Sequence, residues 1–192
     1  NPNGIYNDNH YSTAYDLALI GKYAYENAII KSIGSKASYN LPKNENHPTY
    51  TSTNALLRST HKYYYEYANG LKTGYTDAAG YCIIATASKD GIDLICVILK
   101  GERLSDGTAT READCINLFN YGFDNYKSVQ LVNEGDIVRT INIVNGTEDT
   151  KKLDVVATTT LNCVVFTDEV VDVTPVIQFN SVLAPIAEGQ VV

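Results

Sequence analysis

A lysine, a threonine and a glycine follow one another at positions 72 to 74, inside the stretch GLKTGYTDAAGY. An ammonium group and a hydroxyl beside a cleft can bind a carboxylate, because both donate hydrogen bonds and the ammonium adds positive charge. A glycine next to them lets a ligand lie against the backbone. Lys72, Thr73 and Gly74 are therefore a candidate receptor for the anionic end of a peptide. The alternative is an ordinary exposed start of a strand.

The pattern around this triplet predicts an antiparallel meander. LKTGYT reads as a short strand, YCIIATAS as a second strand and IDLICVIL as a third. Asp90 and Gly91 separate two apolar runs, which is typical of a tight hairpin. The continuous apolar run at 92–99 indicates a strand covered on both faces, with helices as the cover. The triplet would then lie on the first strand of a covered sheet.

A helix should precede the sheet. Thr13 followed by Asp16 is a plausible capping box, and small and apolar residues at helical spacing continue to about residue 33. Gly34 should end this helix. Residues 35–69 are rich in Asn, Ser, Thr, Pro and Tyr and show no sustained period, so we expect an irregular connection with one short helix or strand.

The remainder of the chain predicts a second helix, followed by a region of short strands. The helix should end near Gly122, and its apolar positions are Ala109, Ala113, Ile116 and Phe119. Past Tyr126 the sequence has short β-branched runs broken by turns, without a helical period. We therefore expect two domains, 1–124 and 125–192, of which the second is a small all-β module.

Composition narrows the possible functions. An apolar content of 44% in 192 residues is normal for a globular protein that buries a core. A net charge of -7 leaves no basic surface for nucleic acid. The apolar runs are too short to span a bilayer. His10, His47 and His61 lack metal-ligand spacing, so we expect neither a metal nor a cofactor.

The cysteines show no C-x-x-C spacing; they are Cys82, Cys96, Cys115 and Cys163. Cysteine is among the most buried residue types, so we expect buried free thiols. A bridge between Cys82 and Cys96 across neighbouring strands is the alternative.

Several longer segments resemble one known family in content and order. These are NPNGIYNDNHYSTAYDLALIGKYA, TNALLRS, GLKTGYTDAAGYCIIATASKDGIDLICVILKG, TREADCINLFNYGFDNY and VLAPIAEGQVV. They resemble the low-molecular-mass penicillin-binding proteins that act as serine-type D-alanyl-D-alanine carboxypeptidases. The resemblance implies an α/β (α+β) penicillin-binding-protein/β-lactamase-like transpeptidase fold, truncated at its N-terminus and followed by a small all-β domain.

The resemblance also implies roles for four residues. Lys72 would place a positive charge near the serine of the family's second motif, and Thr73 would bind the terminal carboxylate of the substrate. Gly74 would keep the cleft open. The backbone N–H of Tyr75 would be one of two oxyanion-hole donors.

The sequence departs from the family pattern at the nucleophile. Members carry S-x-x-K, S-x-N and K-T-G in this order, and the first two motifs lie upstream of the segment that matches Asn1. Stretches 59–62, 38–40 and 52–54 spell these motifs in the wrong order, within the irregular connection. The sequence also contains no methionine, and we expect it to be part of a longer protein. We therefore expect this chain to be inactive alone.

One further position differs from some family members. They place an arginine before the asparagine of the TNALL segment to assist carboxylate binding, and here that position is Thr53. Arg58 is close in sequence and is not assigned this role.

Taken with the resemblance, these features predict a secreted, membrane-peripheral enzyme on the cell-wall side of the membrane. It would trim peptidoglycan stem peptides that end in D-Ala-D-Ala, would react with β-lactams, and would serve peptidoglycan biosynthesis and cell shape. A non-enzymatic binding or scaffold module is the alternative, and complementation by a separate chain is a third option. Loss of the upstream strands would expose a sheet edge, so we expect self-association or a partner chain that covers it.

Overall fold

The computed structural model describes residues 3–41, 49–172, 176, 182, 184 and 185. The chain divides into two compact units, Asn1–Asn125 and Tyr126–Val192. The elements of the first unit are α1 (Ala14–Glu26), α2 (Ala28–Gly34), β1 (Ser38–Asn40), β2 (Thr49–Thr51), a 3-10 turn (Ala55–Leu57), β3 (Ala68–Thr76), β4 (Gly80–Lys89), β5 (Ile92–Gly101) and α3 (Arg111–Asn125). Those of the second unit are β6 (Tyr126–Val132), β7 (Ile137–Asn142), a 3-10 turn (Glu148–Thr150), β8 (Lys152–Val156) and β9 (Leu161–Phe166).

The predicted meander is confirmed. Strands β3, β4 and β5 form an antiparallel sheet in that order. Asp90 and Gly91 connect β4 to β5 with φ angles of 50° and 77°. Positive φ at both central residues is what a type I′ hairpin turn requires, and Asp-Gly is among the pairs that adopt it readily.

Helices cover both faces of the sheet, as the apolar run of β5 predicted. A Cβ at Gly21 of α1 would lie 2.8 Å from Cγ2 of Ile84 and 3.7 Å from Cγ2 of Ile95. A Cβ at Gly122 of α3 would lie 2.5 Å from Cδ1 of Leu94. Leu94 and Ile95 are neighbours in β5 and therefore point to opposite faces. Glycine lets each helix backbone approach the sheet this closely.

The main core lies between the sheet and α3. Residues Ile83, Ala85 and Ala87 alternate along β4 and are at most 2% exposed, as expected for one face of a strand. The complete cluster is Leu56, Ile83, Ala85, Ala87, Cys96, Cys115 and Phe119. Small residues on β4 bring the aromatic ring of α3 close to the strand.

The first helix was predicted as one element, and this was wrong. It breaks at Asn27, which has extended backbone angles and caps the next helix: its side-chain oxygen accepts hydrogen bonds from Ile29 N at 3.0 Å and Ile30 N at 3.2 Å. Asparagine competes with the helix for backbone donors in this way. The start was predicted correctly, since Thr13 Oγ1 accepts from Asp16 N at 3.1 Å.

The second helix extends further than predicted. It continues through Gly122 to Asn125 instead of ending near Gly122. Glycine here serves close packing against Leu94 rather than a helix end. Its N-terminal boundary also moves, because Ala109 lies before the helix.

The connection at 35–69 is more ordered than its composition predicted. Strands β1 and β2 pair within it, and Ala55–Leu57 forms a 3-10 turn whose three residues are all buried. Three buried residues in succession match neither a helical nor a strand period, which is why the pattern did not reveal them.

The described part of the second unit contains two antiparallel strand pairs, β6 with β9 and β7 with β8. Residue 144, just after β7, is also bonded to the C-terminal part of the chain: Val144 N donates to Val182 O, and Ala184 N donates to Val144 O. Most of the run VVDVTPVIQFN and of the closing segment VLAPIAEGQVV lies outside the described residues.

All four cysteines are free. Cys96 of β5 and Cys115 of α3 are buried as predicted, with their sulfurs 3.4 Å apart. Cys82 and Cys163 are half-buried, so the expectation of burial was wrong for them. The alternative Cys82–Cys96 bridge is not formed.

Candidate active site

The K-T-G triplet lies on an open edge of the sheet. Among the described residues β3 pairs with β4 alone, in a register that sets Lys72 opposite Ile84 and Thr73 opposite Ile83. Lys72 and Gly74 are exposed, while Thr73 is 7% exposed. Lys72 Nζ donates to the carbonyl of Thr73. The triplet therefore sets a lysine on the exposed side of the strand, with its ammonium against the backbone edge, and a buried hydroxyl beside it.

A groove of about 330 Å³ runs beside this edge. Lys72 and Thr73 form one side, and residues 51–54 with strands β1 and β2 form much of the rest. The C-terminal end of α2 contributes Ile33 and Gly34. The volume is within the range of small-ligand sites, so the groove can receive a peptide end.

Two residues hold the 52–57 segment against β3. The amide nitrogen of Asn54 donates to Gly70 O at 2.9 Å, and its side-chain oxygen accepts from Leu56 N at 3.1 Å. The hydroxyl of Thr53 contacts the hydroxyl of Thr73 in a hydrogen bond that either partner can donate. Asn54 is 2% exposed. Both the nitrogen and the oxygen of the Asn54 amide therefore bond to backbone groups. The hydroxyl of Thr53 sets the orientation of the Thr73 hydroxyl.

The fold does not require a glycine at position 74. A Cβ there would meet only Cys82 Cβ, at 4.0 Å, which is an ordinary van der Waals distance. Tyr75 follows with a side chain 54% exposed. Its hydroxyl donates to Asp77 Oδ1 at 2.8 Å, and this hydrogen bond raises the pKa of the Tyr75 phenol. The phenol therefore stays protonated at neutral pH.

Arg111 of α3 is hydrogen-bonded to the backbone of β3 and β4. Its Nη1 donates to Gly74 O and to Cys82 O, both at 3.2 Å, and its Nε donates to Glu112 Oε1 at 2.9 Å. Arg111 and Glu112 are 8% and 4% exposed. A buried ion pair at the first turn of α3 thus fixes the backbone of the triplet. The apolar spacing of α3 gave no indication of it.

The stretches that spell the missing motifs do not form a catalytic pair. Ser59 is exposed in a turn, and Lys62 Nζ lies 2.7 Å from Asp106 Oδ2. A serine and lysine that act together must share one face of a helix. Ser38 and Asn40 lie in β1, and the amide of Asn54 is already used. Within the described residues these stretches therefore set no serine and lysine together on one helical face.

The described residues offer neither a metal site nor a membrane-spanning helix. They contain no group of three or more His, Cys, Asp or Glu residues that is arranged to hold a metal ion. Among the helices of the described part of the chain, none combines the length and apolarity needed to cross a membrane.

The helix–sheet–helix layers of the first unit, with K-T-G at the sheet edge, define a penicillin-binding-protein fold. Penicillin-binding protein 3 of Streptococcus pneumoniae, described as a peptidoglycan synthesis regulatory factor, matches with a TM-score of 0.76 at 24% identity, over 92% of this chain and 47% of that chain. Penicillin-binding protein 5 of Haemophilus influenzae matches with a TM-score of 0.61 at 24% identity, over 99% and 52%. The predicted fold class is confirmed.

Sequence comparison gives the family. The profile of the D-alanyl-D-alanine carboxypeptidase family, peptidase family S11, matches residues 1–103, which is more than half of the chain. The chain therefore belongs to this family, as its resemblance predicted.

Curated relatives carry the same description. D-alanyl-D-alanine carboxypeptidase DacF of Bacillus subtilis is 28% identical over 148 residues, which cover 76% of this chain and 36% of the relative. DacA of Escherichia coli is 30% identical over 133 residues, which cover 69% and 30%. The chain thus spans about a third of the length of these relatives.

Proposed function

We propose that this chain forms one wall of the active site of a serine-type D-alanyl-D-alanine carboxypeptidase. The enzyme removes the terminal D-alanine from peptidoglycan stem peptides through an acyl-serine intermediate. The observation that carries the proposal is the position of Lys72, Thr73 and Gly74 on an open strand edge beside a groove. Family membership supplies the reaction class.

Lys72 and Thr73 have complementary tasks in this proposal. The exposed ammonium of Lys72 attracts the anionic end of the peptide and assists proton transfer near the reacting groups. The hydroxyl of Thr73 donates to the terminal carboxylate, and Thr53 orients it. Thr73 is almost fully buried, so its position varies little.

Gly74 and Tyr75 act through the backbone. Because packing leaves room for a side chain at position 74, the absence of one serves the open cleft. The backbone N–H of Tyr75 donates to the oxygen that becomes negative when the serine attacks the carbonyl carbon. Arg111 holds the carbonyl of Gly74, which precedes this N–H in the chain.

We propose that the nucleophile comes from a segment outside these 192 residues. The serine oxygen attacks the carbonyl carbon of the penultimate D-alanine, and its proton passes to the departing amine of the terminal D-alanine. Water then hydrolyses the acyl-serine ester. The exposed Ser59 turn, with Lys62 paired to Asp106, does not offer an activated serine. The chain alone is therefore inactive, and β-lactams acylate the complete enzyme as substrate analogues.

We further propose where this enzyme works and how the chain is organised. Its substrate lies on the cell-wall side of the membrane, so the protein is secreted and acts in peptidoglycan biosynthesis and cell shape. The first unit belongs to the catalytic domain and the second is the family's C-terminal β domain. The edge of the sheet away from the groove, strand β5, pairs with a second copy when this chain is alone.

Acylation by benzylpenicillin, followed by intact-mass spectrometry, tests the catalytic proposal. We expect the 192-residue chain to gain no mass and the product of the complete reading frame to gain one acyl group. In the complete protein Lys72→Ala should slow acylation about 100-fold, since it removes a charge next to the reacting groups. Lys62→Ala is the matched control, because that lysine pairs with Asp106 at the surface.

Two results would contradict this scheme. An adduct on Ser59 or on another serine of the 192-residue chain would show that the nucleophile is internal. A complete protein that neither gains an adduct nor releases D-alanine from a D-Ala-D-Ala peptide would favour a non-enzymatic binding or scaffold module.

A further inference from the structure

Two of the four thiols lie side by side in the core of the first unit. Cys96 is on β5 and Cys115 is on α3, and their sulfurs are 3.4 Å apart. The proposed active site uses neither of them. Two thiols in contact can be oxidised to a disulfide, and here the disulfide would join a strand to a helix.

The fold places these two side chains on facing surfaces. Cys115 and Phe119 are four residues apart and therefore lie on one face of α3, and both belong to the core cluster. On β5, Leu94 and Cys96 are two residues apart and point to the same face of the sheet. The absence of a Cβ at Gly122 lets α3 approach Leu94 closely. The contact between the sulfurs thus follows from tight packing of the helix on the strand.

The distance between the sulfurs is close to what a disulfide needs. The bond requires them to approach by about 1.4 Å, from 3.4 Å to the usual length of about 2.05 Å. Rotation about the two Cα–Cβ bonds supplies side-chain movement of this size. The pair can therefore be joined without separating the helix from the sheet.

The two thiols differ in a way that assigns their order of reaction. Cys96 is 5% exposed, whereas Cys115 is fully buried. The hydrogen bond between the sulfurs lowers the pKa of the Cys96 thiol, and the same bond, together with burial, raises the pKa of Cys115. Because the thiolate is the form that reacts with oxidants, Cys96 is the attacking thiol and Cys115 is the resolving thiol.

We propose that Cys96 and Cys115 are a modification site at which hydrogen peroxide forms a disulfide between β5 and α3. The Cys96 thiolate attacks one peroxide oxygen, the O–O bond breaks, and the hydroxide that leaves takes up the Cys96 proton to become water. Cys96 is then a sulfenic acid. The sulfur of Cys115 attacks the Cys96 sulfur, and its proton leaves with the hydroxyl group as a second water. Two thiols and one peroxide thus give one disulfide and two waters.

The disulfide clamps the first half of α3 to the sheet. Cys115 lies one helical turn after Arg111, whose Nη1 donates to Gly74 O at 3.2 Å. A cross-link also restricts the unfolded chain and so favours the folded state. We expect the thermal unfolding midpoint of the first unit to rise by roughly 5–10 °C. This inference is independent of the proposed function, because it requires neither a substrate nor a catalytic serine.

Oxidation of the folded 192-residue chain with hydrogen peroxide, followed by intact-mass spectrometry, tests the inference. The chain contains no methionine and no tryptophan, so changes in mass report mainly on cysteine. The variant with Cys82→Ser and Cys163→Ser keeps only the proposed pair. We expect it to lose the mass of two hydrogen atoms, to resist iodoacetamide after unfolding, and to show the higher unfolding midpoint. Dithiothreitol should reverse all three changes.

The variant with Cys96→Ala and Cys163→Ser is the matched control, since it keeps Cys82 and Cys115. Cys82 lines a separate cavity with Leu17 of α1, whereas Cys115 belongs to the core under α3. We expect this variant to gain oxygen on Cys82 and to form no disulfide.

Three results would overturn the inference. One is a Cys82→Ser, Cys163→Ser chain that gains oxygen, or whose two remaining thiols still react with iodoacetamide after unfolding. Another is an equal yield of disulfide in the control variant, because pairing would then not depend on the contact between Cys96 and Cys115. The third is a disulfide that leaves the unfolding midpoint unchanged, because α3 would then not be clamped.

Discussion

At the scale of single residues, Asn54 connects the groove to the fold. It is 2% exposed, and its amide bonds Gly70 O and Leu56 N. Asn54→Ala leaves two buried backbone groups without a partner, so we expect the free energy of unfolding to fall by about 2–3 kcal/mol. Chemical denaturation of the chain measures this loss.

Asn40→Ala serves as the control for that measurement. Asn40 lies exposed in β1, where its side-chain oxygen accepts from Thr49 Oγ1 at 2.8 Å. Its loss should change stability by no more than about 0.5 kcal/mol, as is usual for surface positions. If both variants lose a similar free energy of unfolding, the buried amide of Asn54 contributes no more to stability than an exposed one.

The depressed pKa of His61 predicts a pH dependence of stability. Burial and Arg58 lower this pKa, so the unfolded chain takes up a proton more readily than the folded one. The contribution of the neutral ring is complete above the ordinary pKa of about 6.5 and is lost as pH falls through the lower pKa of the folded state. His61→Asn should therefore lose less stability than the unmodified chain between pH 7.5 and pH 5.

This comparison is made by denaturant unfolding at each pH. Asparagine retains an acceptor near the position of Nδ1, which bonds Tyr63 N. His10→Asn, at an exposed position in the segment before α1, is the matched control for the removal of a histidine. A steep pH dependence that persists in His61→Asn would assign it to carboxylates instead.

At the scale of elements, the distance between α3 and the sheet depends on Gly122. Alanine is better than glycine in a helix by about 1 kcal/mol. Its Cβ would nevertheless lie 2.5 Å from Leu94 Cδ1, and overpacking of a core costs about 1–3 kcal/mol. We expect Gly122→Ala to lower the free energy of unfolding by about 1 kcal/mol, measured by denaturant unfolding.

Two further variants decide the cause of that change. Asn117→Ala, on the exposed side of the same helix, should be neutral or slightly stabilising, because propensity alone acts there. Leu94→Val combined with Gly122→Ala should recover part of the loss, since it removes the methyl group in conflict. A Gly122→Ala chain that is more stable than the original would show that α3 moves away from the sheet at no cost.

Local sequence signals predicted the elements that local chemistry decides. Asp90 and Gly91 marked the hairpin because positive φ at both positions restricts the choice of residues. The break at Asn27 was missed because a helical period continued through it, while the capping amide acts against that period. Leu56 is fully buried through long-range contacts, which composition does not reveal.

The candidate site divides in the same way. Lys72, Thr73 and Gly74 were found because they are contiguous and have a recognisable chemistry. Arg111 comes from the first turn of α3, and only the fold brings it against the carbonyl of Gly74. Its signal in the sequence was a charge in a stretch whose neighbours are buried. That signal is too common on protein surfaces to be decisive.

At the scale of the whole molecule, two exposed features of the first unit favour association. Strand β5 pairs with β4 alone among the described residues, which leaves the backbone groups of its other edge available. Tyr15, Leu19 and Tyr23 recur every four residues along α1 and are 72%, 51% and 81% exposed. An exposed apolar stripe and an open strand edge are each typical of an interface.

We therefore expect the 192-residue chain to self-associate through α1 and β5, in a concentration-dependent equilibrium measured by analytical ultracentrifugation. Leu19→Lys places a charge in the stripe and should weaken association at least tenfold, because a charge buried without a partner is strongly unfavourable. Leu118→Lys is a matched control, since Leu118 is also 51% exposed but lies on α3, which covers the opposite face of the sheet. Association that both lysine variants weaken equally would show that general surface charge, and not this face, controls it. If the chain remains a monomer at all concentrations, the open edge of β5 and the apolar stripe of α1 do not form an interface.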